Sequence, residues 1–280
     1  MKSIQRTTIQ FLVLATLSAC GGGGSSSDPP PPPPPQNQSA GGIWTVQYVA
    51  ASGPNAGDQI DGKALITETG DVFFAGINTV NGCAAIGFGQ VSVSGSSVSG
   101  STNDAVVTFS QSPFVNTTCS YPDGSTSATT SLTGSVSERS SLSITGSTMT
   151  SMGTALGGET HTWSYSNLYA EVPLLSNVAG NYADGSDTLT VSSNGTIFEQ
   201  DPTTGCVING QASVVNPSYN AYSFSFTFAN CTGTLAPLNG QIATGLGYYD
   251  DSVNPAQLVY GEHMTVNGQT VVAAGALNKM

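Results

Sequence analysis

The 280-residue chain predicts an all-β protein: two tandem antiparallel β-barrels of about eight strands each, every barrel with one disulfide, after an N-terminal tether. Three observations predict it. Apolar and polar residues alternate in short runs, as in Tyr222-Ser-Phe-Ser-Phe-Thr-Phe228, and period two gives a sheet one dry face and one polar face. One series of elements occurs twice along the chain. Four cysteines follow the tether, an even number without CxxC spacing, which suits two disulfides in an exported chain better than a metal site.

The chain opens with positive charge at Lys2 and Arg6, then an apolar stretch from Ile9 to Leu17. That stretch is too short for a permanent span, which needs roughly 20 residues, so residues 1–19 read as a signal peptide. Leu17-Ser18-Ala19-Cys20 resembles the bacterial lipobox. The resemblance implies cleavage before Cys20, acylation of that cysteine by palmitate-like chains, and attachment to a membrane through the lipid alone, each buried methylene contributing about 0.8 kcal/mol. Gly21 stands where an aspartate would imply inner-membrane retention, so the resemblance implies an outer-membrane anchor with the protein facing the periplasm or the cell surface. Residues 20–41 read as the tether: flexible Gly and Ser, then Pro29–Pro35 as stiff polyproline II at roughly 3.1 Å per residue.

Without the leader, Lys63, Arg139 and Lys279 face seventeen acidic residues, a net charge of 3 − 17 = −14. A nucleic-acid partner requires a basic footprint, which is absent, and anionic lipid headgroups are disfavoured for the same reason. Only 8% of residues are charged, so Ser, Thr, Asn, Gln and Gly must make the surface; 38% apolar residues in strand-like runs argue against disorder.

The first barrel is assigned to residues 42–172 and the second to 173–280. The first copy begins GIWTVQ at Gly42 and continues through ALITETGDVFF, NGCAAIGFGQVSV, VVTFS from Val106 and TTCSYPDG; the second begins GNYADG at Gly180 and continues through TLTVSSNGTIFEQ, TGCVINGQASVV, YSFSFTF and ANCTGT. VVTFS thus stands opposite YSFSFTF. Equivalent cysteines imply equivalent bridges, Cys83 with Cys119 and Cys206 with Cys231, each contributing about 3 kcal/mol. Thr69-Gly70 and Asn194-Gly195 fall between apolar runs as hairpin turns do, the latter more strongly. Ser141–Tyr169 supplies the last strands of the first copy, and Glu171–Ala179 reads as a connector with a helical turn after Pro173. Meanders of this kind close into barrels because closure removes exposed edges.

Gly42-Ile43-Trp44 is similar to the opening of calycins and lipocalins, which implies that Trp44 packs across one barrel end; Tyr182 takes that place in the second copy. Lipobox, glycine-rich start and two barrels are also similar to the tethered surface lipoproteins of the neisserial factor H-binding and transferrin-binding kind. That resemblance implies display on a tether and assigns no binding residue.

Catalytic signals are sparse. Gly95-Ser-Ser-Val-Ser-Gly100 lacks the GxSxG spacing of a nucleophile elbow, His161 reads as an outward strand residue, and His263 as a residue near a strand end. Asp184-Gly-Ser-Asp187 and Asp250-Asp251 offer hard oxygens that suit calcium, but read as turns; no metal and no cofactor is expected. The expectation is a non-enzymatic binding module for a protein, a glycan or a host surface. One rival is a lipocalin-like carrier of a small apolar ligand, marked by a cavity of about 300 Å³ or more rather than rows of Phe and Tyr filling the barrels. The other is an envelope hydrolase, marked by a cleft that gathers a histidine with acids.

Overall fold

The computed structural model describes residues 37–49, 57, 59–108, 119–184, 187–201 and 204–280. The signal peptide, Cys20 and the tether up to residue 36 lie outside the described residues.

Among the described residues, the first barrel comprises β1 (Gly42–Val49), β2 (Gln59–Ile66), β3 (Asp71–Asn78), β4 (Cys83–Ser94), β5 (Ser97–Thr108), β6 (Ser127–Ser137), β7 (Ser141–Thr150) and β8 (Ala155–Ser166). These pair antiparallel in sequence order, and β8 closes on β1. A 3₁₀ turn (Asn167–Ala170) and the four-residue helix α1 (Leu175–Val178) lead to the second barrel. Its strands are β9 (Gly180–Asp184), β10 (Asp187–Val191), β11 (Thr196–Gln200), β12 (Val207–Asn216), β13 (Tyr219–Ala229), β14 (Ile242–Asp250), β15 (Gln257–Val266) and β16 (Gln269–Lys279), again closed in sequence order. Closure leaves neither meander with an unpaired edge.

The turns show the repeat at atomic scale. Gly70 N–H donates to Thr67 O, and Gly195 N–H to Ser192 O; both glycines have positive φ and both carbonyls accept from the neighbouring hairpin, from Val91 and Ala212. A Cβ at Gly70 would stand 2.0 Å from Val91 O, and one at Gly195 2.3 Å from Ala212 O, so only glycine fits. Asn194 itself keeps negative φ, so Asn194-Gly195 is not the two-residue type I′ turn its sequence suggests; that turn is made by Asn267 and Gly268, both at positive φ.

Both barrels are plugged at the end where β1 and β9 begin. Trp44 and Tyr182 are fully buried, and each bonds back four residues: Trp44 Nε1 donates to Ala40 O at 3.1 Å, and Tyr182 Oη donates to Val178 O at 2.8 Å. Disulfides Cys83–Cys119 and Cys206–Cys231 close loops with separations of 36 and 25 residues, worth about 3.5–4 kcal/mol each in the chain-entropy model. A third apolar cluster joins the barrels side to side, with Ile43, Leu65, Phe73 and Phe88 meeting Ala221 and Tyr248. Arg139 Nη2 adds a 2.7 Å hydrogen bond to Tyr219 Oη.

Candidate functional site

The interiors of the two barrels differ, and strand register locates the difference. In the second barrel, β13 sends Tyr222, Phe224, Phe226 and Phe228 inward, all buried in one core. The rings lie over residues with little or no side chain: a Cβ at Gly210 would come within 2.9 Å of Phe226, and one at Gly247 within 2.9 Å of Phe224. Packed this way, the second barrel is filled by its aromatic row.

In the first barrel the same register positions hold small or polar residues. Counted from the first cysteine of each repeat, Gly87 and Gly210 are equivalent; Gly87 pairs with Asp104 and Gly210 with Phe226. Likewise Gly89 pairs with Thr102 where Ala212 pairs with Phe224, and Ala85 with Val106 where Ile208 pairs with Phe228. Gly100, Thr102, Asp104 and Val106 therefore stand where the second barrel has Tyr222, Phe224, Phe226 and Phe228. The counterpart of YSFSFTF is this stretch and not VVTFS, as alignment of apolar runs suggests.

The result is a cavity of about 480 Å³ inside the first barrel. It lies between the end plugged by Trp44 and the end at which Cys83 and Ser120–Pro122 stand. Its floor is apolar, with Val46, Phe74, Leu132, Ile144 and Trp163, His161 standing across from Ile144; its upper wall carries Asn78, Thr102, Asp104, Thr130 and Thr148. Gly87 gives Asp104 room, because a Cβ there would stand 2.3 Å from Asp104 Oδ1.

Two features of this lining concern chemistry. Asp104 Oδ2 accepts a short hydrogen bond from Thr130 Oγ1, which is in turn 2.8 Å from Thr148 Oγ1. When Asp104 is ionised the Thr130 proton is committed to the carboxylate, and Thr148 is then the donor of that second bond. Burial raises the Asp104 carboxyl above its ordinary range, with the Thr130 and Thr102 hydroxyls opposing the shift. Second, the Trp163 indole N–H is buried without a hydrogen-bond partner among the described residues, its ring 7% exposed and nearly parallel to Phe74 at 6.3 Å. Tyr165 Oη is the other buried polar atom of this kind, but Tyr165 does not line the cavity.

Of the residues singled out from the sequence, Cys83–Cys119 stands at the cavity mouth and Trp44 below its floor. His161 is not an outward strand residue: it lines the cavity, on β8, whereas Asp104 comes from β5, so the two are not strand neighbours. His263 lies inside β15 rather than near its end, and its ring packs 4.6 Å from Phe88 between the barrels, where burial lowers its pKa. Asp250, the last residue of β14, accepts through Oδ1 from Ser252 N–H and Oγ–H and so braces the turn that follows. The side chains of Asp184 and Asp187 lie outside the described residues. Among the described residues, no three His, Cys, Asp or Glu side chains gather as metal ligands.

Thr102, Asp104, Trp163 and Gly87 were not marked by any sequence motif. The signal that could have found them is the position of Gly87 and Gly210 four residues after the first cysteine of each repeat, which places Asp104 opposite an aromatic position. Comparison of the chain with family models, curated proteins and solved structures finds no match.

Proposed function

We propose that this protein is a non-enzymatic envelope lipoprotein, held to the outer membrane through Cys20, that binds a small molecule inside its first barrel. The observation that carries the reading is the exchange of an aromatic row for Gly100, Thr102, Asp104 and Val106 on one duplicated framework, leaving about 480 Å³ open in the first barrel and filling the second. A pocket of that size with an apolar floor and a few convergent polar groups is the usual form of a small-ligand site. The second barrel serves as a packed platform against which the first is docked.

The test uses the unlipidated mature chain and N-phenyl-1-naphthylamine, a neutral dye that fluoresces in apolar surroundings. Saturable enhancement is expected with the native chain. It should fall about tenfold or more with Thr102→Phe, which places in the first barrel the ring that Phe224 supplies in the second. An equal response from both chains would sink the reading. The anchor is tested separately: metabolic labelling with palmitate should be abolished by Cys20→Ser.

A further inference from the structure

We infer that the ligand of the first barrel is a small organic cation, an ammonium group attached to an apolar ring or chain, with Asp104 as its counter-ion; this rests on the cavity reading above. Besides His161, Asp104 is the one Asp, Glu, Lys, Arg or His among the described residues lining the cavity. No lysine or arginine stands beside it among those residues, and what acts on the Asp104 carboxyl is burial, opposed by the Thr130 and Thr102 hydroxyls, with no cation among the causes. A ligand ammonium would supply one, and charge-assisted hydrogen bonds are about twice as strong as neutral ones.

The hydroxyls beside Asp104 suit the same ligand. Thr148 donates to Thr130 and Thr130 donates to Asp104, so both hydroxyl protons of this chain are spent and the side facing the ligand offers lone pairs. An ammonium brings three donors to such a wall. Below it, the parallel rings of Phe74 and Trp163, with Leu132 and Ile144, offer an apolar bed for the rest of the molecule. The Trp163 indole N–H is a buried donor without an acceptor among the described residues, so a ligand that also carries a hydroxyl or ether oxygen would satisfy it. The net charge of −14 on the mature chain adds a field that favours cations over anions.

The experiment compares three ligands of one shape on the mature chain: 2-phenylethylamine, 2-phenylethanol and 3-phenylpropionate. The sequence has two tryptophans, so the Trp163 indole N–H resonance can be followed by NMR beside that of Trp44 as an internal control. The amine should shift the Trp163 resonance and bind about tenfold or more tightly than the alcohol, with the carboxylate weakest. Asp104→Asn should bring amine and alcohol within about twofold of each other, while still binding the naphthylamine dye as proof of an intact barrel. If the alcohol binds as tightly as the amine, or if Asp104→Asn leaves the preference in place, the cation assignment is wrong and the cavity reading stands. If none of the three binds, the assignment is also wrong, and the dye decides whether the cavity reading falls with it.

Discussion

Glu262 offers the sharpest test of the packing logic in the second barrel. It shares the inward face of β15 with Leu258, Met264 and Val266, all core residues, and burial together with the charge of Glu199 raises its carboxyl from 4.5 to about 7. A carboxyl raised on folding is harmless while protonated and destabilises the fold as pH climbs from the unfolded value through the folded one. Working the linkage between pH 5 and pH 8 gives a loss of about 2.5 kcal/mol from this group alone. Glu262→Gln removes the titration while keeping the shape, so the variant's advantage over the native chain should grow by roughly 2–3 kcal/mol between pH 5 and pH 8. In a domain pair of this size that is a rise of roughly 5–10 °C in thermal midpoint. The assay is thermal and urea unfolding of both chains in matched buffers across this range. Parallel curves, with a constant offset at every pH, would refute the assignment of Glu262 to a buried, raised site.

Three further perturbations follow from the contacts. Asp104→Asn should stabilise the ligand-free protein at neutral pH, because the raised carboxyl carries a desolvation penalty when ionised; the gain should vanish below the ordinary carboxylate pKa of 3.8, as urea titrations at each pH would register. Gly261→Ala places a Cβ 2.1 Å from Phe73 across the barrel junction and should cost about 1–3 kcal/mol, splitting one calorimetric transition into two as the barrels uncouple. Removing the smaller loop with Cys206→Ser and Cys231→Ser should lower stability by about 3.5 kcal/mol by urea unfolding, with near-native far-ultraviolet dichroism in the absence of urea.

Much of the frame was legible because the second barrel obeys the simplest pattern. In β13, YSFSFTF alternates aromatic and hydroxyl residues, and the structure buries the former and exposes or half-buries the latter. Cysteine equivalence carried both disulfides for the same reason: a duplicated framework keeps its crosslinks in register. By contrast β5, SVSGSTNDAVVT, has no apolar alternation, since its inward residues are the polar wall of a cavity, so its strand signal weakens at the very place where function is proposed. Pairs such as Ile43-Trp44, Leu65-Ile66 and Phe73-Phe74 mark strands covered on both faces. One member of each pair packs inside the first barrel and the other against its neighbour, but which surface covers the outer member is a tertiary fact that no local pattern encodes. His161 was misplaced because alternation gives a residue's parity only once the register of its strand is known, and TGSTMTSMGTALGGETHT offers few apolar markers to fix it.

The two interiors also explain each other energetically. A dry cavity of 480 Å³ would cost roughly 12 kcal/mol at about 24 cal/mol per Å³, comparable to the whole stability of a domain. The first barrel lines its upper wall with Thr, Asn and Asp, which makes the space one that suits water or a polar ligand, whereas the second fills its interior with rings laid over Gly210 and Gly247. Polar lining is thus required before any ligand arrives, and it sets what the ligand must do. A purely apolar molecule would return no donor to Asp104, which is the expensive way to bury a carboxylate. A ligand that brings a proton donor to Asp104 and an apolar body to Phe74 and Trp163 fills the space without leaving the charge unpaired. The same duplication that makes one barrel solid leaves the other open, with Asp104 in the place of Phe226 as the residue that divides the two interiors.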